Sequence, residues 1–384
     1  MSNITLSCFV NVSDSSLSEY MWILDSPIDP NFDNITNGYV ISSILILFML
    51  VGLPWNLWVL GVILYKSLYR QPIVMLMLNL TITNILLILM VMPFVIVSGF
   101  ASEFIFGPTD SVRCRVCQIG VVNILLPNVS VHTLSLMSID RLLYLKRPLS
   151  YKKIVTPGRM LVAIAFIWLL CIAIAIPPLF GFGTILFSFT VASCVPIFVG
   201  ESPIAPNIYY VLAGMGEVIF PLIILFVAYI WIVCIARKHL FRKLQRNLHL
   251  SREDLDNNDH YGKKRLSSAY NRDQFRLVQI FGAIFLANVI TWFPMITLSV
   301  VIAIQGEGHT LLYTIAYLSF LSETMIHPII EARMIKDIWS VTLKFISRMF
   351  KLCKITPPCG RENQIESARE SQSVRESQST GESM

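Results

Sequence analysis

Ionisable side chains inside long apolar runs are the residues of this sequence with the clearest chemical potential. Glu323 and His327 lie four residues apart, so on a helix they share a face and can form a hydrogen bond. Glu217 is the only acid in the apolar run 208–236. A carboxylate inside a membrane helix costs about 2.5–3.5 kcal/mol by insertion scales, so such a residue is usually functional or paired.

Patterns typical of enzymes are missing from the sequence. It contains no nucleophile elbow, no H-E-x-x-H motif and no spacing typical of metal ligands. We therefore expect a protein that is not an enzyme and that needs neither a metal nor another cofactor.

Seven apolar runs must position the ionisable side chains. Of the 384 residues, 55% are hydrophobic and 14% are charged, whereas a soluble domain has about a quarter charged residues. A helix crosses the hydrocarbon core with roughly 20 mostly apolar residues and satisfies its own backbone polar groups. The runs cover residues 39–65, 72–99, 117–139, 160–180, 208–236, 277–304 and 311–331. They predict an all-α membrane protein, a seven-transmembrane helix bundle in a lipid bilayer.

The distribution of Lys and Arg predicts the orientation of this bundle. The first 38 residues contain neither, and the other three segments on that side contain only Arg113 and Arg115. The remaining 28 of the 30 lie in the four segments on the opposite side. The positive-inside rule then places the N-terminus outside the cell and the C-terminus in the cytoplasm, as in a multi-pass plasma membrane protein. Because the basic residues are spread over four flanking segments, we expect no nucleic-acid partner.

The N-terminal segment carries sites for modification. Residues 1–38 form a predicted extracellular tail ahead of the transmembrane domain at 39–331. Three N-x-S/T triplets in this tail predict glycosylation at Asn3, Asn11 and Asn34.

The C-terminal segment is predicted to contact the membrane first and then to be disordered. Apolar residues at helical spacing predict an amphipathic eighth helix on the membrane surface over 332–352. Residues 353–384 are polar and repetitive, so they form a predicted disordered cytoplasmic tail with candidate kinase sites. Cys353 and Cys359 are either palmitoylation sites or free cytosolic thiols.

Several motifs occur in order along the seven runs. They are Asp140-Arg141 followed by Lys146-Arg147-Pro148-Leu149-Ser150-Tyr151, then Trp168, Pro221 with Tyr229, and Trp292-Phe293-Pro294. This pattern, over about residues 39–350, resembles the rhodopsin-like (class A) G-protein-coupled receptors.

The resemblance implies a ligand, a partner and a mechanism. Such a receptor binds an extracellular ligand and transmits the signal to a heterotrimeric G protein, with arrestin and receptor kinases as further partners through the tail. Arg141 would pair with Asp140 at rest and be freed to meet the G protein. Pro294 allows a kink in the sixth helix near Trp292, whose packing a ligand can bias. Outward movement of that helix would open a cleft for the partner, with Tyr229 on the fifth helix among the expected switch residues.

The second and seventh spans depart from the family pattern. Asn84 stands where the family usually has an Asp that helps to bind sodium, and His327-Pro328-Ile-Ile-Glu331 replaces N-P-x-x-Y. Asn84, Ser130 and Glu323 form an expected polar core with two interpretations. Either the buried acid has moved to the seventh helix and keeps a polar or proton-sensitive core, or Glu323 hydrogen bonds to Asn84. Glu331 would bond to Arg141 or face water.

A ligand cavity is implied between the outer halves of helices three, five, six and seven. Its expected lining is Asn123, Glu217, Trp292, Met295, Tyr313 and Tyr317. Asn123 stands where amine receptors have Asp, and Leu321 stands where opsins have the retinal-linked Lys, which disfavours both classes. Glu217 is either the anchor of a cationic ligand group or a protonated residue bonded to a neighbour. The leading hypothesis for the ligand is a basic peptide or a small cation.

The family resemblance also implies a disulfide from Cys194 to the start of the third span. Cys114 and Cys117 both flank the expected position. Cys117 is favoured because it is nearer when counting back from Arg141, and Cys114 could then pair with Cys8.

Two other functions remain open from the sequence. A receptor-like scavenger or arrestin-linked binder that does not couple to G proteins is favoured by the altered seventh helix and opposed by the intact Asp140-Arg141. A membrane transporter could use Glu217, Glu323 and His327 as a polar path, but no internal repeat is evident.

Overall fold

The computed structural model describes most of the chain. The described residues are 34–102, 105–180, 184–188, 190–197, 219–253, 279, 282–298, 301, 310–334 and 336–352. The predictions for Asn3, Asn11, Glu217, Cys353 and Cys359 lie outside these residues.

The described chain is built mainly from helices that follow the predicted apolar runs. They are α1 (Asn34–Tyr65), α2 (Pro72–Met90), α3 (Met92–Ala101), α4 (Asp110–Cys117), α5 (Val122–Lys146), α6 (Pro148–Ile154), α7 (Pro157–Ala175), α8 (Phe220–Glu253), α9 (Gly282–Leu298), α10 (Thr310–Leu321), α11 (Glu323–Met334) and α12 (Lys336–Leu352). Two strands, β1 (Thr184–Ser188) and β2 (Ser193–Ile197), lie between α7 and α8.

Several of these helices have the length and composition of membrane spans. Within the described residues, four stretches qualify: Thr36–Tyr65, Pro72–Ala101, Arg115–Lys146 and Pro157–Ala175. Phe220–Ile235 and Gly282–Leu298 are shorter apolar helices. The helices α1, α2–α3, α5, α7, α8, α9 and α10–α11 therefore correspond in order to the seven predicted spans.

Helix α5 occupies the centre of the bundle and packs against α2, α7 and α8. Its buried face includes small hydroxyl residues, which let neighbouring helices approach closely and bond across the interface. Ser135 Oγ donates to Pro221 O of α8 at 2.8 Å. Asn79 of α2 donates to Thr133 Oγ1 at 2.8 Å and accepts from Trp168 Nε1 of α7 at 2.9 Å. One amide thus ties three helices together.

Two predicted spans are interrupted in the structure. The second span breaks at Val91, between α2 and α3, because Pro93 has no N–H to donate to the preceding turn. The seventh breaks at Ser322, between α10 and α11. The Ser322 hydroxyl donates to Ser319 O at 2.5 Å, and such a side-chain bond competes with the helix. The predicted span 311–331 is therefore formed by two successive helices, a break that the sequence analysis did not predict.

The proline inside α11 has a compensating contact. Pro328 cannot donate an N–H to Thr324 O, the carbonyl four residues earlier. Asn56 of α1 satisfies that carbonyl instead, since its Nδ2 donates to Thr324 O at 2.8 Å. The second Asn56 bond, to Gly52 O, is also 2.8 Å long. The bond to Thr324 holds the first helix against the seventh, and the bond to Gly52, within α1, fixes the Asn56 side chain.

A β-hairpin that the sequence analysis did not predict lies at one end of the bundle. Strands β1 and β2 pair antiparallel, with Ser188 opposite Ser193. A disulfide joins Cys194 of β2 to Cys117 of α4, which confirms Cys117 as the partner of Cys194. Gly120 permits this close approach, because a Cβ there would lie 2.5 Å from Cys194 O. The described side chains leave the predicted Cys8–Cys114 pair untested.

The chain ends differ in part from the predicted boundaries. Helix α1 begins at Asn34 rather than at residue 39, so the last residues of the predicted tail are helical. Glycosylation of Asn34 stays a prediction. Helix α12 belongs to a separate unit that begins at Ile335. A helix was predicted over 332–352, and its place on a membrane surface stays a prediction.

Candidate functional site

The end of the bundle that carries the β-hairpin, here the hairpin end, contains a polar cluster around Ser193. Asn123 Nδ2 of α5 donates to Ser193 Oγ at 3.1 Å and to Cys194 O at 2.9 Å. The Tyr317 hydroxyl of α10 donates to Ser193 Oγ at 3.0 Å. Two predicted ligand residues from different helices therefore bind the same hairpin atom.

A second contact attaches the hairpin to α1. Asn37 Nδ2 donates to Thr190 O at 2.7 Å and lies 3.2 Å from Thr314 Oγ1 of α10. Neither Asn37 nor Ser193 was singled out in the sequence, because nothing in a local pattern shows which loop enters a cavity. These contacts also explain why α1 extends beyond its predicted start, since Asn37 anchors its first turns.

The aromatic residues predicted for the cavity lie deeper in the same region. Trp292 is buried and meets Phe320 edge-to-face, with ring centroids 5.3 Å apart. Tyr317 belongs to the same apolar core, and Met295 and Tyr313 are half-buried. Of the six predicted ligand residues, Glu217 alone lies outside the described part of the chain.

Three ionisable residues of α11, here the polar stripe, are Glu323, His327 and Glu331. All three are buried. Thr291 Oγ1 of α9 donates to Glu323 Oε1 at 2.8 Å. The Trp292 indole also lies beside this carboxyl, but its Nε1 does not reach hydrogen-bond geometry. The stripe therefore links the seventh helix to the sixth through one hydroxyl.

The contacts of this stripe differ from those expected. Glu323 and His327 do not hydrogen bond, because both His327 nitrogens are without a partner among the described residues. The expected bond from Asn84 to Glu323 is also missing in this part of the chain, since Asn84 Nδ2 is unpaired. Thr291 is closer to the carboxyl and takes this role. Ser130, the remaining member of the predicted polar core, is buried on α5.

Glu331 neither faces water nor bonds to Arg141, so both expectations for it were wrong. Its exposed fraction is 1%, and within the described chain neither carboxyl oxygen has a hydrogen-bond partner. Thr81 of α2 lies beside it, but the Thr81 hydroxyl donates to Met77 O at 2.8 Å. That donor is therefore already used.

The opposite end of α5, here the Arg141 end, carries a compact ionic contact. Arg141 Nε lies 3.2 Å from Asp140 Oδ2, and the Tyr151 hydroxyl of α6 donates to Asp140 Oδ1 at 2.7 Å. Arg141 also lies over the Tyr144 ring, 5.7 Å from its centroid. Burial, and then the bond to Asp140, raise the pKa of the Tyr151 phenol, so it remains a donor at neutral pH. The sequence offered Tyr151 only as a motif residue, without its contact.

The fifth and sixth helices meet through aromatic rings and one glycine. Tyr229 of α8 stacks on Phe285 of α9, with centroids 5.1 Å apart. Its hydroxyl rests against Gly282, where a Cβ would lie 2.9 Å from the oxygen. Pro294 lies 9 residues beyond Phe285 and 12 residues beyond Gly282 along α9, which is about 13–18 Å of helix. The predicted kink at Pro294 and the contact of α9 with Tyr229 thus lie at different levels of α9.

Comparison with known proteins shows which family has this architecture. A family model described as the 7 transmembrane receptor (rhodopsin family) matches residues 55–330. The chain is 28% identical over 321 residues to G-protein coupled receptor 161 of Mus musculus, covering 79% of this chain and 55% of that protein. It is 27% identical over 281 residues to cannabinoid receptor 1 of Xenopus laevis, covering 72% and 55%. The structure of squid rhodopsin matches with a TM-score of 0.69 at 18% identity, covering 86% of each chain.

The chain belongs to the rhodopsin family of seven-transmembrane receptors, because the family model covers most of its length. The predicted family and the predicted all-α membrane bundle are both confirmed. The matched region spans about half the length of these two receptor relatives. The squid rhodopsin likeness supports the fold alone.

Proposed function

We propose that this protein is a plasma-membrane receptor that binds an extracellular ligand at the hairpin end and couples to a heterotrimeric G protein at the Arg141 end. The observation that carries this proposal is the arrangement along α5. Asn123 and Arg141 are 18 residues apart on one helix, which is about 27 Å of helix. A cavity residue and a coupling residue therefore lie at opposite ends of one rigid element.

Signal transmission would use the sixth helix. A ligand that changes the packing of Trp292 acts on the helix that also carries Pro294. Movement of α9 away from α8 would separate Phe285 from Tyr229. Release of Arg141 from Asp140 would then expose a cationic side chain to the G protein. Under this proposal the N-terminus is extracellular and the C-terminus cytoplasmic.

The ligand is proposed to be a basic peptide or a small cation. The outer segments contain nine acids and two arginines, so a basic ligand would be mildly attracted. Arrestin and receptor kinases are proposed as further partners of the tail.

The test is a G-protein dissociation panel in cells, measured basally and against a peptide and amine library. Arg141→Ala should abolish the basal or ligand-driven signal. Arg159→Ala is a matched control, because the side chain of this exposed arginine donates to the backbone oxygens of Lys153 and Ile154, away from Asp140. Equal signals from the two variants would refute coupling through Arg141.

A receptor-like binder that does not couple to G proteins, or couples only to arrestin, is the second candidate. Its support is Glu331, which replaces the family's tyrosine and is buried without a hydrogen bond in the described chain. Arrestin recruitment in cells where the whole panel is silent would favour this function. Transport is the third candidate, and substrate flux without coupling would favour it.

The polar core is proposed to be a site where the acid has moved to the seventh helix. Its support is the buried Glu323, which bonds to Thr291 rather than to Asn84. Signalling by Asn84→Asp and Glu323→Gln should be compared across sodium concentration and pH. A sodium or pH effect in the unmodified chain that Glu323→Gln removes would support the relocation, and signalling of Glu323→Gln that matches the unmodified chain at every sodium concentration and pH would contradict it.

A further inference from the structure

The tip of the β-hairpin, residues 190–194, is buried within the hairpin end of the bundle. Loops that connect secondary structure usually run over the surface. Here the exposed fractions are 0% for Val191, 3% for Ala192 and 5% for Ser193. The apolar tip side chains belong to the same core cluster as Trp292 and Tyr317. The tip therefore lies among residues that the family resemblance assigns to the ligand cavity.

The tip is bound as a ligand would be bound. It offers three acceptors, which are Thr190 O, Ser193 Oγ and Cys194 O. Asn37, Asn123 and Tyr317, from three different helices, donate to them at 2.7–3.1 Å. Two of these donors are residues that the family resemblance assigns to the ligand cavity.

Covalent attachment keeps the tip at this position. The Cys117–Cys194 disulfide joins it to the start of the third span, so its effective concentration at the cavity is high. Ala192 has a φ of 51°, a left-handed conformation that is strained for a non-glycine residue. Such strain persists only where surrounding contacts over-determine the conformation.

Little free space remains beside the tip. A cavity of about 30 Å³ is lined by residues that include Phe94, Asn123 and Ser193. Ligand pockets are typically about 300–1,000 Å³. Within the described part of the chain, this space admits little more than a water molecule while the tip is seated.

We propose that residues 190–194 are a tethered occupant of the ligand cavity that favours the resting receptor, and that an external ligand signals by displacing them. The Asp140–Arg141 contact is intact in the structure in which the tip is seated. An occupant stabilises the state that it binds best. Loss of the tip's contacts therefore makes the resting state less stable relative to the active state. The displacing ligand must supply acceptors to Asn37, Asn123 and Tyr317, and the carbonyls of an extended peptide provide them. This inference rests on the proposed receptor function.

The first experiment measures basal G-protein dissociation for the full chain in cells at matched surface expression. Ser193→Ala removes the acceptor that Asn123 and Tyr317 share, and Tyr317→Phe removes one donor to it. Each should raise the basal signal about threefold or more, since one hydrogen bond contributes on average enough for a change of this size. The double variant should not exceed Ser193→Ala. Ser188→Ala is the matched control, because this buried cross-strand neighbour has no hydrogen-bond partner in the described chain.

The second experiment measures seating of the tip without any signal. Val191→Cys is treated on intact cells with a membrane-impermeant methanethiosulfonate, and labelling is counted above that of the chain without this cysteine. The introduced thiol should be protected, and Ser193→Ala added to it should speed labelling. Rapid labelling of Val191→Cys on its own would overturn the seating of the tip, and equal labelling rates with and without Ser193→Ala would overturn the role of Ser193 in holding it.

The two experiments separate this inference from the proposed function. If the receptor signals through Arg141 but Ser193→Ala behaves as Ser188→Ala, or lowers the basal signal, the resting role of the tip is refuted. If neither the unmodified chain nor any variant signals, the proposed coupling fails instead. The labelling rates alone then decide whether the tip occupies the cavity.

Discussion

Replacement of Tyr151 by Phe should raise the basal signal of this receptor. The Tyr151 hydroxyl donates to Asp140 at 2.7 Å, and Asp140 lies 3.2 Å from Arg141. Phe keeps the ring and its edge-to-face packing on Tyr144, with centroids 5.3 Å apart, so the hydrogen bond alone is lost. Asp140 is then held less firmly beside Arg141. The state in which Arg141 is released therefore costs less free energy.

The size of the Tyr151 effect follows from the type of bond. A hydrogen bond to a charged group contributes about 1.5–3 kcal/mol to stability. Tyr151 is half-buried, so water competes for Asp140 and the lower value applies. A difference of about 1.4 kcal/mol is about tenfold in an equilibrium constant. If the released state is rare in the unmodified receptor, its basal signal should rise by up to about tenfold.

The Tyr151 contact should also depend on pH in one direction. Because the pKa of the Tyr151 phenol is raised in the fold, its protonated form is favoured there. The stabilisation is then complete below the ordinary phenol pKa of about 10 and is lost as pH rises through the higher folded value. Thermal unfolding of the purified receptor should become more sensitive to pH above about 10, and Tyr151→Phe should remove that part of the dependence.

The assay is basal G-protein dissociation at matched surface expression, with Tyr144→Phe as control. Tyr144 lies next to the same contact, and its ring, which Arg141 overlies, is kept in this variant. Only Tyr151→Phe should raise the signal. A basal signal in Tyr151→Phe that equals that of Tyr144→Phe would refute the reasoning, because the hydroxyl would then not stabilise the resting state.

Three further predictions concern packing. Asn79→Ala should lower the free energy of unfolding by about 1–3 kcal/mol, because two interhelical bonds are lost. Trp168→Phe, which removes one of these bonds, should cost about half as much when both variants are measured by thermal unfolding. Equal costs would contradict the double role of Asn79. Glu331→Leu should raise the unfolding temperature, since it removes a buried carboxyl without a hydrogen bond; a lower temperature would show that this carboxyl has a stabilising partner. Gly282→Ala should destabilise the contact with Tyr229, whose oxygen would lie 2.9 Å from the new Cβ, and adding Tyr229→Phe should restore thermal stability. If Tyr229→Phe does not restore thermal stability, the destabilisation by Gly282→Ala does not come from its contact with the Tyr229 hydroxyl.

Much of the fold could be predicted because it depends on local properties of the chain. The length of an apolar run decides whether it crosses a bilayer, and the order of the motifs led to the family. The Cys117–Cys194 pair followed from the family resemblance and from a count along one helix back from Arg141. The breaks at Val91 and Ser322 were missed, although Pro93 offered a signal for the first. Ser322 offered only a hydroxyl, and that side chain is often compatible with a helix.

The candidate site was only partly predictable because hydrogen-bond partners are chosen across the bundle. The sequence by itself determined that Glu323 lies in a membrane helix and needs a partner, and that Asn123 and Tyr317 lie near one end of their helices. Only the tertiary structure decided that Glu323 bonds to Thr291 rather than to Asn84, and that Ser193 lies between Asn123 and Tyr317. Residues 70 to 124 positions apart meet at Ser193. No local pattern encodes such distances, because they follow from how the helices pack around α5.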